Sequence, residues 1–263
     1  MRRLPLVLLA APLALVACGG SSSSSQSKLE PVSYVRHAAR VTASTPSEHV
    51  TTSVTLGVGP VNVSLAGAGD YSNTAHTGVF AMRMSLLGKN TKVNEIEDGT
   101  TIYVSSPLFA KSLPAGKTWL KLELASLGKS SGIDFASLLD RSPTQALQQL
   151  QAAGTLTRVG AGTIDGAATT HYRVQNLDVS KLPQGAKLES FGRYTYGPID
   201  VWIGNTSGYV YRETLPFTFS SSGQSGSASI HADFSKFGEK VHVTVPPASE
   251  TVNASTLPGL GGR

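Results

Sequence analysis

The chain has 263 residues, 40% of them apolar and 15% charged, with a formal net charge of +5. That length and apolar content support one domain with a sizeable core, and the low charge density excludes a disordered polyelectrolyte. Arg2 and Arg3 of the 22 basic residues fall in a leader, which leaves 20 against 17 acidic residues, too weak and scattered a balance for a nucleic-acid binder.

Residues 1–18 read as a signal peptide: two arginines, an apolar run from Leu4 to Val16, and a small-residue cleavage site. The run is too short to span a bilayer. Its end, Leu15-Val16-Ala17-Cys18, resembles a bacterial lipobox, which implies that Cys18 becomes the acylated N-terminus. Cys18 is the only cysteine of the chain, so no disulfide forms within it and the thiol is left for lipid attachment. Residues 19–28, rich in Ser, read as a flexible tether. The expected location is the extracytoplasmic face of the cell membrane, lipid-anchored.

The folded domain is expected over 29–252, with a disordered tail over 253–263. Leu29 to Ala43 has helical spacing at Val32, Val35 and Ala39, with Pro31 at the tolerant first turn. From His49 the period changes to two. Strands are expected at Val50–Leu56, from Val61 through Leu65, and at Gly78–Leu87. The small residues Ala66–Gly69 predict a bend or bulge. Phe80, Met82, Met84 and Leu86 form one apolar row. After a more polar stretch, Asp98-Gly99 is a hairpin turn leading to Ile102 and Val104.

Trp119–Leu124 alternates as a strand. Two helical pieces follow, Asp134–Leu139 with Leu138, and a segment opened by the capping box Ser142-Pro143-Thr144-Gln145 with Leu147 and Leu150. Strands resume at Leu156–Ile164 and Thr169–Leu177 around an Asp165-Gly166 turn. A hairpin then runs from Tyr196 to Ser220, with Val201 and Ile203 on one arm and Leu215, Phe217 and Phe219 on the other. Pro216 predicts a bulge or an unpaired position. Ser225–Phe234 and Val241–Val245 are the last expected strands.

Ten or eleven short strands in series with two helical regions give an α+β fold, a curved open antiparallel half-barrel with helices over its concave face. Those helices are too small to fill it, so a cavity is expected there. The candidates for its lining are Phe80, Met82, Met84, Leu86, Ile102, Val104, Leu138, Leu147, Leu150, Val201, Ile203, Leu215, Phe217 and Phe219.

The motifs for chemistry are poor. Gly128-Lys129-Ser130-Ser131-Gly132 matches a nucleophile-elbow pattern but sits in a loose loop instead of a strand–turn–helix. The six histidines lack metal-ligand spacing, and the pairs Asp134/Asp140 and Glu95/Glu97 read as solvated. No catalytic residue, metal or cofactor is expected, and the chain is not expected to be an enzyme.

The strings Asp165–Asp178 (DGAATTHYRVQNLD), Ile199–Arg212 (IDVWIGNTSGYVYR) and Phe234–Pro247 (FSKFGEKVHVTVPP), with the lipobox, resemble the LppX/LprG-type lipoproteins of actinobacteria, which share the LolA/LolB fold. The resemblance covers roughly 29–252; Gly204 stands where many relatives carry Asp, a change that keeps the turn. It implies a carrier or chaperone for lipids and glycolipids of the cell envelope, binding acyl chains, with an envelope transporter as a possible partner. The alternative it implies is an envelope-sensing regulatory lipoprotein that uses the same fold for a protein partner.

Overall fold

The computed structural model describes residues 31–123, 154–178, 193–221 and 224–257. One helix, α1 (Pro31–Ala43), precedes two runs of strands. The first run is β1 (Ser47–Val58), β2 (Val61–Ser72), β3 (Thr77–Leu86), β4 (Lys89–Asp98), β5 (Thr101–Ser105) and β6 (Trp119–Glu123). The second is β7 (Thr155–Ile164), β8 (Ala167–Gln175), β9 (Arg193–Tyr196), β10 (Ile199–Gly204), β11 (Val210–Ser221) and β12 (Gln224–Ser235), and β13 (Thr251–Asn253) follows. These thirteen described strands form one open sheet in the order β13-β6-β5-β4-β3-β2-β1-β12-β11-β10-β8-β7, with β9 paired to β11. Its neighbours are antiparallel except β13 and β6. The architecture fits a curved half-barrel.

Each run is a meander, as short turns favour. Asp165 and Gly166, with φ of +47° and +79°, make the two-residue reversal between β7 and β8 expected from the sequence. The runs are fused where β1 pairs with β12 over ten positions, from His49↔Ser235 to Val58↔Gly226.

Period-two alternation then assigns the faces. On the inner face, Val50, Phe80, Met82, Met84, Val93, Val201, Ile203 and Phe234 are buried in one core. The outer face carries Thr51, Ser53 and Thr55 of β1 and Ala66 and Ala68 of β2. The helix lies against the inner face at the end near Ser47, called the α1 end below. Tyr34 meets Tyr172 with ring centroids 5.5 Å apart. Ala38 is in the core, and the Val210 amide donates to the Thr42 hydroxyl at 2.8 Å. The buried stripe is thus Tyr34, Ala38, Ala39 and Thr42, rotated from the expected one.

Several expectations are corrected, while Pro216 takes the unpaired position that was one of its two readings. The Ala66–Gly69 stretch is not a bulge, since β2 keeps an unbroken register with β1 and β3. Its glycines make room instead: a Cβ on Gly69 would lie 2.3 Å from the Phe80 ring, and one on Gly67 would lie 2.8 Å from Met82 Cγ. The only shift in this hairpin falls between Trp202 and Ile203, and Pro216 pairs with Ser229 without one. Pro216 sits where β10 gives way to β9 along β11, a position that needs no N–H.

Residues 241–247 form no strand, because both edges of the preceding strand β12 are taken by β1 and β11. They cross instead to β6, where β13 pairs. The expected tail is docked as far as Leu257: Ala254 and Leu257 are buried against Leu120. The helical pieces expected at Asp134–Leu139 and 142–153 lie outside the described residues.

Gly69→Val should force Phe80 and the Val79 carbonyl, 2.2 Å from the new Cβ, to move. The expected loss is about 2–3 kcal/mol of unfolding free energy, read by urea denaturation.

Candidate functional site

The two-residue turn at Leu87-Gly88 pairs Leu86 with Lys89, and the register then pairs Met82 with Val93 and Phe80 with Glu95. Counting on through the other ladders gives rows that cross the sheet. One runs Phe234, Val50, Gly69, Phe80, Glu95, Val104. The next runs Tyr172, Val201, Glu213, Ala232, Thr52, Gly67, Met82, Val93.

Every described candidate shares this inner face. Phe80, Met82, Met84, Val104, Val201 and Ile203 are buried, whereas Leu86, Ile102, Leu215, Phe217 and Phe219 are half-buried. Leu138, Leu147 and Leu150 lie outside the described residues, as do Cys18 and the Gly128–Gly132 loop.

Away from α1 the inner face is less completely buried. Leu156, Val174, Ile199, Leu215, Ile230 and Val54 are all half-buried, on adjacent strands, and Val54, Leu156 and Ile199 pack against the core. Leu56, Val63, Leu86 and Phe217 continue the apolar surface one row further. A separate pocket of about 540 Å³ at the same end is lined by Thr55, Asn62, Ser64, Ser85 and Ser227 beside Leu56 and Val63. Its hydroxyl-rich lining belongs to the outer side and differs in character from the apolar wall.

Sequence reasoning missed the carboxylates of the inner face. Glu95, read as solvated, is 5% exposed and Glu48 is 6% exposed. Glu48 shares a row with Tyr71, Gly78, Glu97 and Ile102, and Glu213 stands between Val201 and Ala232. Burial pushes the Glu48 carboxyl up to about 7. Burial, then the neighbouring Glu97 carboxylate, raises Glu95. Burial and the Glu48 charge raise the half-buried Glu213. Burial pushes the Tyr71 hydroxyl to about 12, helped by Glu97 and Glu48. Period-two counting from Val93 was the available signal, since it puts Glu95 and Glu97 on the apolar face.

The outer face pairs its charges. Asp200 accepts from Arg173 Nε at 2.7 Å and Nη2 at 3.1 Å, and lies 2.6 Å from His171 Nε2. His171 stacks on Trp202 at 4.1 Å. Asp233 accepts two bonds from Arg212, and His49 meets Asp70 at 2.6 Å. Burial opposes ionisation of Asp200, yet the hydrogen bonds from Arg173 and His171 hold its carboxyl below the usual range. These are cross-strand ties of a solvated sheet face.

No protein-family model matches the chain. It is 26% identical over 162 residues to an uncharacterized 31.2 kDa protein of Streptomyces griseus, covering 56% of this chain and 52% of that one. It is 27% identical over 146 residues to a Streptomyces coelicolor protein named as a candidate lipoprotein, covering 54% and 44%. The match thus spans about half the length of these curated relatives. Among solved structures, the lipoprotein LppX of Mycobacterium tuberculosis superposes with a TM-score of 0.50 at 19% identity, over 81% of this chain and 98% of LppX. LprF of Mycobacterium bovis gives 0.45 at 17% identity, over 82% and 96%. The resemblance to LppX/LprG-type lipoproteins holds at the level of fold.

Two outcomes follow from these electrostatics. Between the ordinary glutamate range and the raised values of Glu48 and Glu95, the folded chain keeps protons that the unfolded chain has released. Stability to urea should therefore fall as the pH rises from about 5 to about 8, and Glu95→Gln should flatten that slope. Asp200→Asn should cost about 1–2 kcal/mol in urea unfolding by loosening Arg173 and His171.

Proposed function

We propose that this chain is a lipid-anchored lipoprotein that holds the acyl chains of a lipid or glycolipid against its inner wall and carries it within the cell envelope. The observation that carries the reading is the half-buried apolar row that crosses the inner face from Leu156 to Val54, with Phe217 and Leu86 in the next row. Each acyl CH₂ buried there adds about 0.8 kcal/mol, so a long chain binds tightly without any charged group. Met82 and Met84 supply flexible, polarizable side chains beneath that surface. Transfer is then an equilibrium between protein and membrane, with no bond made or broken.

The anchor is Cys18, and the Ser-rich residues 19–28 tether the domain that starts near residue 29. Among the described residues no helix is long and apolar enough to cross a membrane. The LppX-type fold supports the same reading.

Native mass spectrometry of the protein taken from its host without detergent should show a bound lipid. Leu215→Asp, in the half-buried row, should weaken binding of a fluorescent fatty-acyl probe by at least about tenfold, since it removes one apolar side chain and adds a charge. An empty native protein that also ignores added phospholipid vesicles would refute the proposal.

A further inference from the structure

We infer that the α1 end of the inner wall takes an ammonium group, so that the amphiphile held by the wall has a cationic head set among Glu48, Glu95, Glu97 and Glu213. This rests on the lipid-binding reading above and names the head-group chemistry for it.

Three separate parts of the chain bring these carboxylates onto one apolar face: the start of β1, the second half of β4, and β11. Among the described residues no salt bridge reaches any of them, whereas Asp200 and Asp233 on the outer face each have an arginine. Glu95 and Glu97 answer only each other by a side-chain hydrogen bond. Glu48 points to a ligand on its own account, because its Oε2 is fully buried and has no hydrogen-bond partner. A buried carboxylate oxygen without a donor is a cost that the fold carries. A cation arriving from outside would remove it.

The surroundings select the kind of cation. Among the described residues no three acidic or histidine groups converge closely enough to hold a metal ion, which favours a singly charged ammonium that needs one or two carboxylates over a metal that needs several. Aromatic faces lie in the same place. Tyr71 shares the Glu48–Glu97 row, and the Tyr71 and Phe80 rings close over Gly78, where a Cβ would lie 2.9 and 2.8 Å from them. Ring faces beside carboxylates are the surroundings in which alkylammonium groups bind.

The geometry also gives the ligand a direction. From the Glu48 row to the Leu56 row is eight residues of β1, or about 26 Å. A head at the carboxylates thus leaves its alkyl chain lying along the half-buried rows.

The test compares three probes of one chain length, dodecylammonium, dodecanol and dodecanoate, on the full chain carrying Cys18→Ser. At pH 7, dodecylammonium should bind at least about tenfold tighter than dodecanol, with dodecanoate the weakest. Burial raises the Glu48 carboxyl to about 7, so calorimetry at pH 7 in buffers of different ionisation heat should show proton release with dodecylammonium and none with dodecanol. The double variant Glu48→Gln with Glu213→Gln should bring the amine within about twofold of dodecanol while leaving dodecanol binding unchanged.

Equal binding of amine and alcohol by the unaltered chain would overturn the inference and leave the lipid-binding reading standing, as would a preference that survives the double substitution. Failure of all three probes to bind would overturn both. If the double variant does not fold, proton release by the unaltered chain decides: dodecylammonium binding without it overturns the inference.

Discussion

Ten paired positions between β1 and β12 hold this molecule together. Without that ladder there are two meanders, each with one apolar face and a bare edge. With it, they become a single sheet whose inner-face rows cross the β1–β12 junction. The ladder joins strands some 180 residues apart, so its loop-closure entropy is large and its register must be secured by side chains. Val50 opposite Phe234 and Val54 opposite Ile230 do this on the inner face. A slip of one residue would set Thr51 and Ser53 against the core.

The two faces solve the problem of charge in opposite ways. Outside, each carboxylate of the central strands has a basic partner on the neighbouring strand. Inside, no basic side chain pairs with the carboxylates among the described residues, and burial raises their pKa values. An ordinary core would use leucine at those places, since a well-packed apolar group there is the more stable choice. The departure from that rule sits beside the half-buried wall, which is why the wall and the carboxylates are read as one ligand surface.

Much of the fold was legible because β-hairpins obey simple arithmetic. Asp98-Gly99 and Asp165-Gly166 read as turns from the sequence, and alternation alone puts Phe80 with Met82, and Val201 with Ile203, on one face as expected; the turn at Leu87-Gly88 was not read. Where the reading failed, the cause was tertiary. Val241–Val245 has a strand's alternation but no free edge to join. The Ala66–Gly69 stretch was taken for a local bend because the Phe80 and Met82 side chains that fill its empty space come from another strand. Glu95 and Glu97 looked solvated because charge was weighed above period; Val93, two residues earlier, already fixed their side of the sheet.

The parallel pairing of β13 on β6 has a consequence for biogenesis. The backbone that shields β6 arrives some 132 residues later in the chain, where Thr118 and Glu250 meet. Until that stretch is in place, β6 presents an uncovered row of amides and carbonyls to any extended segment nearby. At the other margin, β7 has no strand on its outward edge among the described residues, and the irregularity between Arg158 and Gly160 breaks the flat template that a stray strand would need.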